Sequence, residues 1–127
     1  MKQTYQGSCH CGKTQFEINA QIDSARICNC SICLKRGALI FRVEEEDFRL
    51  KTSLSDLTLY EWHTKTGKDY FCPGCGILPF RRPSALTSDE LKSGMKPFSG
   101  WAINLRCLEG IELDNLKLND INGAGLE

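Results

Sequence analysis

The chain has 127 residues, the length of one ordinary domain, and a chain of this size buries about two-thirds of the surface that its unfolded form exposes. Sixteen Lys and Arg balance sixteen Asp and Glu, and the sequence pI of about 6.7 argues against nucleic acid or an anionic membrane surface as partner. The longest apolar run is Ala38 to Phe41, against the ~20 residues of a membrane span or the ~7–15 of a secretory core, so the expectation is a single cytoplasmic domain over residues 1–127.

Most of the chain reads as short β segments broken by turns. Residues 12–19 alternate Phe16 and Ile18 with polar neighbours, the period of a half-buried strand. Ser31 to Arg36 makes one or two helical turns before Gly37, and Phe41-Arg42-Val43 closes a compact apolar strand. The acidic run Glu44 to Asp47 reads as a solvated turn. Ser53 to Asp56 has capping-box spacing, but Leu57 to Trp62 does not keep a helical period and is expected to be a strand. Pro79 to Gly100 holds three of the four prolines without strand alternation, and reads as a long surface loop and a candidate lid. Within it Thr87 to Glu90 can start a short helix that Gly94 ends. In the segment 101–107 the odd positions Trp101, Ile103, Leu105 and Cys107 fall on the apolar face of a strand. The fold class is mainly β with little helix.

Cysteine is the outlier, with eight residues, and in a reducing compartment such thiols are metal ligands or reactive groups rather than disulfides. Seven form three groups: Cys9-His10-Cys11-Gly12, Cys28-Asn29-Cys30-Ser31-Ile32-Cys33 and Cys72-Pro73-Gly74-Cys75-Gly76. Chelating pairs one or two residues apart can reach one metal from a single turn, and glycine directly after each pair lets the backbone reverse. The economical partition joins Cys9, Cys11, Cys72 and Cys75 in a closed four-sulfur structural zinc site, and leaves Cys28, Cys30 and Cys33 as a tripod. Three protein ligands with an open position distinguish catalytic zinc from structural zinc, although Cys107 or a histidine would close the tripod too. A thioredoxin-like role for Cys72 and Cys75 needs a helix at the motif, which Pro79 opposes. Cys107 reads as a small core hydrophobe, and His10 and His63 as bystanders.

Gly7 to Gly12 with Phe16-Glu17, then Cys28 to Cys33, Phe71 to Gly76 and Asn104 to Gly110 follow one another in an order that resembles the glutathione-dependent formaldehyde-activating enzyme family, from about Gly7 to Gly123. The resemblance implies a β-tent zinc fold of several short antiparallel sheets with two zinc ions per chain. It assigns Cys9, Cys11, Cys72 and Cys75 to the structural zinc, and Cys28, Cys30 and Cys33 to the open catalytic zinc. Cys107 matches a cysteine that is not a ligand. The implied activity is of carbon–sulfur lyase type, adding glutathione or a similar thiol to formaldehyde or another small aldehyde to give S-hydroxymethylglutathione. The chain departs from the family at Asn29, where histidine is frequent, at Leu34, where arginine is, and at Asn122-Gly123, in place of Asp-Gly. The carboxylates of glutathione call for a nearby cation, and Lys35, Arg36, Arg81 and Arg82 lie near the motifs but read as surface charges.

Other readings keep the metal and change the role. One is a non-catalytic carrier of the thiol adduct, and another is a structural zinc interaction module. A zinc-ribbon nucleic-acid module is disfavoured by the last nineteen residues, with five acids against one lysine. A methionine sulfoxide reductase with Cys107 as nucleophile would carry two C-x-x-C pairs, and here the first pair is C-x-C.

Overall fold

The structure, a computed structural model, describes residues 1–126 and is mainly β. β1 (Gln3–Ser8), β2 (Gln15–Ala20) and β5 (Phe48–Leu50) form an antiparallel sheet with β2 in the middle. The second sheet runs, in spatial order, through β10 (Lys117–Ile121), β3 (Ser24–Cys28), β4 (Ile40–Val43), β9 (Trp101–Asn104), β8 (Phe80–Arg82), β7 (Lys68–Phe71) and β6 (Thr58–Tyr60). The sheets are not all antiparallel, because β10 pairs with β3 in parallel, from Lys117 opposite Ser24 to Ile121 opposite Cys28. Parallel neighbours need a long crossover, and residues 29–116 lie between these two strands.

The core lies between the two sheets. Phe16 and Ile18 of β2 alternate inward as their spacing predicts, and Phe48 of β5 joins them. From the larger sheet come Phe80, Trp101 and Ile103, and Phe16, Ile18, Phe80 and Ile103 are each 0% exposed. Phe80 is central to this cluster: its ring meets Phe16 at 5.5 Å, Phe48 at 5.1 Å and Trp101 at 5.3 Å, each time edge-on. Arg82 covers Trp101 from outside, 3.6 Å above the ring, and is held there by Glu45 at 2.5 Å and the Ser99 carbonyl at 2.9 Å. The acidic turn is therefore not merely solvated, since Glu45 and Asp47 also pair with Arg82 and Lys2.

The helical expectations hold. α1 (Ser31–Arg36) ends at Gly37 with φ 68°, and α2 (Ser88–Lys92) carries a complete capping box between Thr87 and Glu90. Ser53 does cap a turn, but only a single 3-10 turn, Leu54–Asp56, before β6.

Two further expectations are corrected. The segment from Pro79 to Gly100 is not one loop: it opens with β8, whose Phe80 is buried, and only the stretch after it runs over the surface. The strand after Gly100 stops at Asn104, because the Asn104 side chain accepts the Arg106 N–H and turns 105–107 into a 3-10 helix. Replacing Phe80 by Ala should cost about 3–5 kcal/mol in urea unfolding, the range for a fully buried aromatic. A loss below about 1 kcal/mol would remove Phe80 from the centre of the core.

Candidate metal centre and adjoining cavity

The cysteines gather as two clusters. The Sγ atoms of Cys9, Cys11, Cys72 and Cys75 all lie within 4.8 Å of one another, and so do those of Cys28, Cys30 and Cys33. Cys107 and the two histidines join neither cluster.

The four-sulfur cluster is built from two tight turns. Cys9 and Cys11 follow β1 of the smaller sheet, and Cys72 and Cys75 follow β7 of the larger one. In the first turn the Gly12 N–H bonds to the Cys9 carbonyl at 3.2 Å, and in the second the Gly76 N–H bonds to the Cys72 carbonyl at 2.7 Å. Gly12 and Gly76 sit at φ 81° and 79°, a region open to glycine without strain. The Cys9 and Cys11 sulfurs are 3.6 Å apart and those of Cys11 and Cys72 3.5 Å, close to the ~3.8 Å between thiolates bound at ~2.3 Å around one tetrahedral zinc. Burial opposes ionisation of Cys9, but the Thr14 N–H and the neighbouring thiols outweigh it and hold Cys9 at about 6. The Lys13 N–H favours the Cys11 thiolate, yet the sulfurs of Cys72 and Cys9 push Cys11 up to about 11.

The three-sulfur cluster is local. Cys28 ends β3, Cys30 is the residue before α1, and Cys33 lies one turn into it, on the same side as Cys30. Burial opposes the Cys28 thiolate, but the Cys30 and Gly123 N–H groups and the Cys30 and Cys33 thiols lower its pKa overall. Burial, then the Cys30 thiol and the charge of Cys28, push Cys33 up to about 12. Donors crowded this closely cannot all ionise unless a cation balances them, so each set suits a metal ion.

The parallel β10/β3 pairing lays the C-terminal segment against the tripod. A Cβ on Gly123 would stand 2.4 Å from the Cys28 sulfur and 3.1 Å from the Cys30 Cβ, so no side chain fits there. Asn29 and Asn122, two of the departures noted above, meet each other: Asn29 Nδ2 donates to Asn122 Oδ1 at 3.0 Å, and Asn29 Oδ1 accepts the Ala124 N–H at 2.9 Å. A pair of amides thus fastens the segment that covers the tripod.

On its open side the tripod faces a cavity of about 370 Å³, within the ordinary range for small-molecule sites. The stretch after β8 forms one wall through Pro83, Leu86, Met95 and Phe98, which puts the candidate lid beside the tripod. His63, set aside in the sequence, also lines the cavity from a turn with φ 54°. Arg36 and Arg81 are not surface charges: both bind the buried Asp69 carboxylate, at 2.8 and 2.5 Å. Lys35 is exposed, and Arg82 faces Trp101.

The family model described as glutathione-dependent formaldehyde-activating enzyme matches residues 4–94, well over half of the chain, and takes in both cysteine clusters. The chain belongs to the glutathione-dependent formaldehyde-activating enzyme family. A crystal structure of a Rhodobacter sphaeroides protein is similar over 90% of this chain and 99% of that one, with TM-score 0.71 and 28% identity. In this member of the formaldehyde-activating family, Cys107 packs half-buried against the core. Its burial and the nearby Cys9 and Cys75 push its pKa up to about 11. A thiol with that pKa is about one part in a thousand thiolate at pH 8, so Cys107 should escape iodoacetamide in the native protein and react only after unfolding. Peptide mass mapping before and after denaturation reads this, and rapid native labelling of Cys107 would contradict it.

Proposed function

We propose that the protein is a zinc-dependent enzyme of carbon–sulfur lyase type that joins glutathione, or a similar thiol, to formaldehyde or another small aldehyde. The observation that carries this reading is the three-thiol cluster at the wall of a ligand-sized cavity that the four-thiol cluster does not line. Cys9, Cys11, Cys72 and Cys75 would hold a structural zinc, and Cys28, Cys30 and Cys33 a second zinc at the reaction site. With these go a single cytoplasmic domain and the β-tent form of the fold.

A zinc ion on three thiolates supplies an open fourth position that favours the thiolate form of a bound thiol. The residues of the chain do the rest. Cys28, Cys30 and Cys33 fix where the substrate sulfur sits, and the cavity walls hold the aldehyde within reach and limit access of water. Addition balances without a co-reactant: the thiol loses its proton, the sulfur bonds to the carbonyl carbon, and the carbonyl oxygen takes a proton to become a hydroxyl.

Thiols add to formaldehyde unaided, so the test must separate catalysis from carriage. Exchange between glutathione and its hydroxymethyl adduct, followed by NMR, should accelerate in proportion to zinc-loaded protein and return to the spontaneous rate with Cys33→Ser. An unchanged rate with the loaded wild type, with binding retained, would make the protein a carrier.

A further inference from the structure

The cavity beside the tripod is strongly cationic. Arg26, Arg36, Arg42, Arg81 and Lys96 line it, against one carboxylate, Glu90, whose Oε1 is taken by the Thr87 N–H in the capping box of α2. Arg36 and Arg81 share Asp69. Arg26 and Arg42 have no carboxylate partner among the described residues, and Arg36 keeps a buried Nη1 with no protein acceptor.

The sheet register sets these groups in one row. Arg26 and Cys28 lie two apart on β3 and so point to the same face. Arg26 stands opposite Ile40 of β4, which puts Arg42 on that face as its diagonal neighbour. Arg42 in turn stands opposite Ala102, and Ala102 opposite Arg81, so a small side chain separates the two arginines. Phe98, from the stretch after β8, packs its ring 5.2 Å from the Arg42 guanidinium. Arg42 keeps part of its surface in solvent, yet loss of hydration at the cavity wall, then the like charges of Arg26 and Arg81, push its pKa down to about 10, which leaves it charged at neutral pH. Cations held together without counter-charge are costly, and planar guanidinium groups match a carboxylate in charge and in geometry.

We propose that Arg26 and Arg42 form an anion site that takes a carboxylate of the thiol substrate, so that the cavity selects acidic thiols over neutral ones. This rests on the reading that a thiol places its sulfur at Cys28, Cys30 and Cys33. The arginine end and the sulfur end of the cavity then hold one molecule at two points, with Arg26 and Cys28 on a single strand setting their separation.

Calorimetry on the zinc-loaded chain tests it with three probes: glutathione, glutathione diethyl ester, and S-methylglutathione, which has no free thiol. Glutathione should bind at least about tenfold tighter than its diester, and Arg26→Gln and Arg42→Gln should each weaken S-methylglutathione by about tenfold or more, with Arg42→Lys recovering part of the loss. Equal affinity of acid and ester for the wild type overturns the proposal, whether or not a variant folds, as does an effect below about twofold for both Gln variants with unchanged melting temperature. The two readings fail differently. S-methylglutathione binding that depends on Arg26 and Arg42, without any faster adduct exchange, leaves the anion site and removes the enzyme. Faster exchange with no preference for acid over ester does the reverse.

Discussion

The two sheets meet at one end in a cluster of four thiols. Cys9 and Cys11 continue β1, Cys72 and Cys75 continue β7, and Cys11 and Cys72 meet although 61 residues separate them. The cost of closing a loop grows slowly with its length, so a metal held by these thiols would span this much chain without a prohibitive penalty. Further contacts between the two sheets lie behind the cluster. Gly7 bridges to Leu108, the Glu109 N–H bonds to the Gln6 carbonyl at 2.8 Å, and Phe16 is brought face to edge with Phe80. Aromatic packing and these backbone contacts hold two short-stranded sheets together behind the thiol cluster.

The larger sheet is then free to use its other face. Toward the smaller sheet it presents Phe80, Trp101 and Ile103, and on the opposite side the alternate positions Arg26, Arg42, Arg81 and Ala102 line the cavity. The buried Asp69 holds Arg36, from α1, and Arg81, from β8, so a single carboxylate joins the tripod helix to the sheet. The two thiol clusters share a chemistry and differ in mounting. One draws four donors from two distant turns; the other draws three from one short segment and faces a cavity.

Much of the site was legible because its determinants are local. A C-x-C or C-x-x-C pair followed by glycine fixes its own turn, and the triad from Cys28 to Cys33 converges wherever the rest of the chain goes. The caps of α1 and α2 were readable for the same reason. What stayed hidden depends on pairing between distant segments. β8 is three residues long between two prolines and has no visible period; only its neighbours β7 and β9 make it a strand. Arg36 and Arg81 read as surface charges until the register brings Asp69 beneath them. Arg26 and Arg42 carried no signal, since alternation along a strand does not say which face meets a cavity. The meeting of Asn29 with Asn122 required the parallel strand that the antiparallel expectation left out.

The central claim is that the chain holds two thiolate-bound ions and that only the one on Cys28, Cys30 and Cys33 has room for a substrate sulfur. Titrating glutathione into protein loaded with cobalt in place of zinc tests it most directly. The claim predicts two cobalt ions per chain, with the absorption bands of one shifting as thiol is added and those of the other fixed. One ion per chain, or two whose bands both ignore the thiol, would contradict it.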